Sequence, residues 1–89
     1  MSAAIIMYST RFCPYCVRAR FLLESKNVEF TDIGVDAQPE LRREMTEKSG
    51  RRTVPQIWIG ERHVGGYDDL ARLEQTGELD DLLKQVSAA

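Results

Sequence analysis

Apolar residues run almost unbroken through Ala4-Ile5-Ile6-Met7-Tyr8-Ser9, the pattern of a central strand covered on both faces rather than an edge strand with one wet side. Pro14 then suits a first helical position, with Cys13 as its cap. Val17, Ala19, Phe21, Leu22 and Leu23 are expected on a broad apolar stripe of that helix, with Arg18, Arg20, Glu24 and Lys26 on the other side. The helix should end at about Ser25 or Lys26, where Asn27 breaks it. Next, Val28-Glu29-Phe30-Thr31-Asp32-Ile33 alternates apolar with polar, the period of a half-buried strand. Together these segments form a β-α-β unit of the size expected for a right-handed crossover between parallel strands.

After Gly34-Val35-Asp36, Pro39 marks a first helical turn, Leu41 and Met45 share a narrow apolar face, and Ser49-Gly50 is the stop. A helix with so narrow a face should lie on the surface. Gln56-Ile57-Trp58-Ile59 reads as a strand, Gly60-Glu61 as a turn and Arg62-His63-Val64 as the hairpin partner, ended by Gly65-Gly66. Asp68 and Asp69 put negative charge at the start of a helix carrying Leu70 and Leu73 and closed by Gly77. Glu78, Asp80 and Asp81 open a last helix with Leu79, Leu82, Leu83 and Val86. The predicted order is β-α-β-α-β-β-α-α, and Ser87-Ala88-Ala89 is expected to fray.

A length of 89 residues leaves room for one core, so residues 1–89 read as a single domain. The net charge of -2 comes from mixed signs along the chain, and no basic stripe is available to neutralise a nucleic-acid backbone. The run Ala3-Ala4-Ile5-Ile6-Met7 is far shorter than the roughly 18 apolar residues of a membrane span and lacks a basic segment before it. The expected location is therefore cytoplasmic. Two cysteines in such a setting point to redox chemistry or metal binding rather than to a secreted disulfide framework. A closed tetrahedral zinc site would need four ligands, and Cys13, Cys16 and His63 are the only soft or borderline candidates.

Cysteines three apart at a helix start lie on one turn, close enough for their sulfurs to join reversibly. Pro14 leaves Cys13 at the cap, where the first-turn N–H groups and the positive end of the helix dipole favour thiolate over thiol; cysteines so placed have pKa values anywhere from roughly 3.5 to 7.5. Cys13 is the candidate nucleophile, and Arg11 and Arg18 add a weaker field. Cys16, inside the first turn, should be shielded and protonated, a resolving thiol. An inert staple and two unrelated buried cysteines are the bland alternatives; a loop this short would stabilise the fold by only roughly 2 kcal/mol.

The run Cys13-Pro14-Tyr15-Cys16, with Thr53-Val54-Pro55 about forty residues on and Gly65-Gly66 before Asp68-Asp69, resembles the dithiol glutaredoxins from Ile6 to Leu83. The resemblance implies a thioredoxin-like α/β fold, a four-stranded mixed sheet flanked by helices, with Pro55 cis and facing the active-site sulfurs. It implies a glutathione-dependent thiol–disulfide oxidoreductase that reduces glutathione mixed disulfides and protein disulfides and so contributes to cell redox homeostasis. Glutathione is the co-substrate; no bound cofactor or metal is implied. Thr53, Val54 and Pro55 would hold the cysteine portion of glutathione, and Gly66, Tyr67 and Asp68 its γ-glutamyl end. Backbone N–H groups at a helix start suit the carboxylate and an Asp side chain suits the ammonium. Tyr15 would line the same groove. The expected partners are glutathione and disulfide-containing or glutathionylated proteins, and the protein is expected to be monomeric.

The chain departs from many relatives in having Thr10 where they carry a lysine that meets the glycine carboxylate of glutathione. Arg51, Arg52 or Gln56 are the candidates to replace it, since Arg11 should point the other way. Tyr67 stands where relatives often carry a third cysteine. Trp58, Phe21 and Phe30 read as core, and His63 as a surface residue of an edge strand. Three rival readings are a thioredoxin-type reductase fed by a flavoenzyme, a dimer holding a [2Fe–2S] cluster through Cys13 of each chain and two external thiols, and a purely structural interaction domain.

Overall fold

The computed structural model describes residues 4–87. Its elements are β1 (Ile5–Ser9), α1 (Pro14–Ser25), β2 (Thr31–Gly34), α2 (Pro39–Ser49), β3 (Gln56–Ile59), β4 (Arg62–Gly65), α3 (Tyr67–Thr76) and α4 (Glu78–Ser87). This is the predicted order, and the sheet runs β2-β1-β3-β4. β1 pairs parallel with β2, through the α1 crossover, and antiparallel with β3; β3 and β4 form the hairpin. β1 is thus central, as its continuous apolar run requires.

Because side chains alternate along a strand, β1 serves two cores. Ile5 and Met7 join Ala19 and Leu23 of α1, Ile57 and Ile59 of β3, Leu70 and Leu73 of α3, and Leu79 and Leu83 of α4. On the opposite face Tyr8 meets Val35 and Met45, with Ile6, Ile33, Leu41, Val54 and Trp58 at the margin. Three helices therefore cover one face and α2 the other. Burying one such aliphatic side chain contributes roughly 1.5–3 kcal/mol, so these clusters fix the sheet against its helices. Lys26, just past α1, binds Glu74 at 2.7 Å and Asp80 at 2.9 Å, tying α1 to the α3–α4 pair.

Two sequence expectations are corrected. Phe21 is not core: it is 67% exposed, while Cys16, Ala19 and Leu23 form the inward stripe of α1, and Val17 also faces out. β2 begins at Thr31, opposite Ile6, rather than at Val28. Val28 and Phe30 already pack on the larger core, so the alternation marks burial that precedes strand pairing. Phe30 and Trp58 sit partly buried against the two cores. Of the residues expected to fray, Ser87 closes α4, and Ala88 and Ala89 lie outside the described residues; so does Ala3 of the short apolar run. No helix among the described residues is long and apolar enough to cross a membrane.

Candidate active site

Proline cannot donate a backbone hydrogen bond, so α1 starts cleanly at Pro14 and leaves Cys13 as its N-cap, with extended φ -92° and ψ 116°. The first turn then wraps onto the cap sulfur: the Cys16 N–H donates to Cys13 Sγ at 3.4 Å. Both cysteines are free thiols, Cys13 half-buried and Cys16 fully buried. Burial pushes the Cys16 thiol up to about 12; the neighbouring Cys13 adds to the rise, and a backbone hydrogen bond with Thr10 and the Arg20 charge oppose it. The two sulfurs, three residues apart, thus occupy opposite environments: one at the surface end of a helix, one behind it in the core.

Across from α1, Cys13 Sγ lies 3.7 Å from the carbonyl oxygen of Val54, and the Val54–Pro55 peptide is cis. Beside this contact runs an open groove of about 350 Å³. Its walls include every residue that the resemblance marked for glutathione: Tyr15 from α1, Thr53, Val54 and Pro55 from the segment before β3, and Gly66, Tyr67 and Asp68 from the start of α3. The walls are close, since a Cβ built on Gly66 would stand 3.4 Å from the Pro55 carbonyl oxygen. Tyr15 and Tyr67 face one another with ring centroids 6.5 Å apart.

Two further residues line the groove, Arg51 and Asp69. The sequence marked Asp69 as charge at the start of α3 and as part of the Gly-Gly and Asp-Asp motif, not as a wall of the groove. Gly66 caps α3, and the Asp69 carboxylate turns back to accept from the Gly66 N–H at 3.0 Å while taking the Arg51 guanidinium at 3.2 Å. That backbone bond first, and Arg51 second, hold the Asp69 carboxyl below the usual carboxylate range. The signal was present as the spacing of a capping box, but a glycine cap carries no side chain to advertise it. Gly65 has φ +116°, and a Cβ there would run into the Asp69 carboxylate, 2.9 Å from its Cγ. Only glycine leaves room for this acid.

Of the three candidates to replace a lysine at position 10, Arg51 alone reaches the groove. Arg52 is exposed and outside it. Gln56 is fully buried, with its amide committed to Thr53 and His63, so it supplies no exposed polar group. Arg11 lies on the far side, its backbone N–H and guanidinium directed to Asp36. His63 departs from the expected surface role: it is half-buried on the edge strand β4, its ring 4.7 Å from that of Trp58 and its Nε2 2.7 Å from Gln56. Burial, and then the Arg51 charge, lower its pKa, with Asp69 opposing. Among the described residues no group of three or more His, Cys, Asp or Glu gathers where it could hold a metal ion.

Comparison with known proteins places this arrangement. The family model described as Glutaredoxin matches residues 5–64. A glutaredoxin of Pseudomonas aeruginosa is 57% identical over 79 residues, covering 89% of this chain and 94% of that protein. The solution structure of a glutaredoxin from Brucella melitensis superposes with a TM-score of 0.81 at 56% identity, covering 92% of this chain and 89% of that one. A crystal structure of a buckwheat glutaredoxin–glutathione complex superposes with a TM-score of 0.88 at 26% identity, covering 96% and 80%.

Proposed function

The chain belongs to the glutaredoxin family and is a glutathione-dependent thiol–disulfide oxidoreductase; from that premise we propose that Cys13 is its nucleophile, Cys16 its resolving thiol, and the groove beside them its glutathione site. One observation carries the assignment. Cys13 stands where a helix N-terminus and the Cys16 N–H meet the negative charge of an attacking sulfur, whereas Cys16 is buried with its pKa pushed up to about 12.

With a glutathionylated protein, the Cys13 thiolate attacks the glutathione sulfur. A Cys13–glutathione disulfide forms, and the protein leaves as a thiolate that takes a proton from water. A glutathione thiolate then attacks the same glutathione sulfur on Cys13, releasing oxidised glutathione and restoring the Cys13 thiolate. Cys16 is not needed in this cycle, because the second glutathione supplies the attacking thiolate. With a protein disulfide, Cys13 attacks one sulfur and frees the other as a thiol. Cys16 then attacks the Cys13 sulfur, and its proton goes to the departing protein thiolate; two glutathione molecules later reduce the Cys13–Cys16 bridge and leave as their disulfide.

The groove supports the following pose for glutathione. Its backbone would pair with the exposed edge of Val54 as a short added strand. Its γ-glutamyl carboxylate would meet the N-terminus of α3 at Tyr67 and Asp68, its ammonium the Asp68 carboxylate, and its glycine carboxylate the Arg51 guanidinium. This reading makes the protein a contributor to cell redox homeostasis, acting on glutathionylated and disulfide-bearing proteins. Hydroxyethyl disulfide reduction with glutathione, glutathione reductase and NADPH tests it. Cys13→Ser should be inactive and Cys16→Ser active; activity retained by Cys13→Ser would overturn the assignment.

A further inference from the structure

Among the described residues, the large hydrophobic side chains left exposed all fall between positions 12 and 21: Phe12 at 89%, Phe21 at 67%, Tyr15 at 51% and Val17 at 38%. Their placement on α1 is ordered. Cys16, Ala19 and Leu23, spaced i, i+3, i+7, are the buried stripe. Pro14, Val17 and Phe21 repeat that spacing two residues earlier, a rotation of about 200° that carries them to the opposite side of the helix. All three are exposed. One apolar stripe is enough to hold a helix to a sheet, so the second has no task in the fold. It begins at the residue after Cys13, and Phe12 extends it from the residue before. Exposed apolar side chains grouped along one helix face suit an interaction site.

The face is also charged in one direction. The Arg11 guanidinium lies 5.7 Å from the Phe12 ring centroid and that of Arg18 lies 5.5 Å from the Tyr15 ring centroid. Arg11 shares Asp36, but Arg18 has no ion pair among the described residues. Glu24, exposed at the far end, is the one acid in α1. With Arg11 paired to Asp36, the positive charge left unpaired at the Cys13 end of α1 is that of Arg18.

We propose that this outer face of α1 docks the polypeptide carrying the target disulfide, and that it selects segments in which apolar side chains and acidic residues flank the reacting cysteine. The proposal rests on the disulfide-reducing function above and adds to it a class of substrate. Continuity with Cys13 favours such a segment over a second copy of this chain, which would stand over the entrance to the sulfur it needs free.

Two glutathionylated peptides that differ only in their flanks, Asp and Leu against Lys and Ser, test it in the glutathione, glutathione reductase and NADPH assay. Wild type should favour the acidic, apolar peptide by about tenfold in kcat/KM, the scale of one buried aromatic side chain together with a rim charge. Phe21→Ser should reduce that preference to about twofold while leaving hydroxyethyl disulfide turnover unchanged. Equal kcat/KM for the two peptides, with hydroxyethyl disulfide turned over normally, would overturn docking alone; no turnover of hydroxyethyl disulfide would overturn the function beneath it. An NMR titration of Cys13→Ser with the acidic peptide reads the face without catalysis. Amide shifts should centre on Val17 and Phe21. Shifts confined to the Val54 and Gly66 walls, or shifts on this face that grow with protein concentration and no peptide, would also overturn the proposal.

Discussion

His63 Nε2 lies 2.7 Å from Gln56 Oε1, and the Nε2 of the same amide donates to the Thr53 carbonyl at 3.0 Å and to Thr53 Oγ1 at 3.2 Å. The edge strand β4 is thereby linked, through a fully buried amide, to the segment that faces Cys13. With its oxygen accepting from the imidazole and its nitrogen donating twice, Gln56 holds Thr53 in one orientation and leaves Val54 turned to the sulfur. Gln56→Ala should strand His63 and cost about 1–3 kcal/mol of stability. It should raise KM for a glutathione mixed disulfide by roughly three- to tenfold with a smaller change in kcat, the pattern of lost ground-state binding. Steady-state kinetics with a urea melt check both.

The same histidine predicts a pH dependence. Folding lowers the His63 pKa, so between the folded value and about 6.5 the unfolded chain binds the extra proton. The contribution is present in full above about 6.5 and is lost as pH falls through the folded pKa. Urea midpoints at pH 7.5 and pH 5.0 should fall more for wild type than for His63→Gln; parallel behaviour would contradict the assignment.

Burial of Cys16 predicts its silence toward alkylating agents. A thiol whose pKa is about 12 is ionised roughly a thousandfold less than one at 9. In Cys13→Ser, the remaining cysteine should react with iodoacetamide at pH 7 at least about a hundredfold more slowly than glutathione does, and should reach the free-thiol rate only in denaturant.

Gly65 and Asp69 form a coupled pair. Gly65→Ala combines a positive φ with a Cβ that collides with the Asp69 carboxylate, a combination expected to cost about 1–3 kcal/mol. Asp69→Ala removes the acceptor from the start of α3 and should cost about 1 kcal/mol. Once Asp69 is gone the collision is gone, so the double variant should be less destabilised than the sum of the two. Urea unfolding of the three variants measures the difference.

The two faces of α1 should answer differently to truncation. Leu23 is fully buried, and Leu23→Ala should cost about 2–5 kcal/mol. Phe21→Ser removes a larger side chain from the opposite face and should change stability by no more than about 0.5 kcal/mol. Thermal melts of the two variants decide it.

That contrast shows where the sequence is legible. Pro14, Pro39, Gly50, Gly60 and Gly77 punctuate the chain so strongly that each helix end and the hairpin turn could be placed to within a residue or two. The groove was equally readable, because its walls are short motifs adjacent to such punctuation. What α1 buries was not. Its apolar residues satisfy two helical stripes at once, and which one meets the sheet depends on how the β1–α1–β2 crossover sits. The Gln56–His63 link was also hidden: it depends on hairpin register and on an irregularity between Ile57 and Trp58 that no local pattern announces.

Cys13 opens α1, Val54 precedes β3, and Gly66 caps α3; nothing local joins these three points, which meet only through the pairing of β1 with β3 and the packing of α1 and α3 on the same core. No single element of the chain brings these three points together. Turnover should thus report on the whole architecture: a cut in the α2 region that frees the sheet's second half should extinguish it, and loss of activity in denaturant should track global unfolding instead of preceding it.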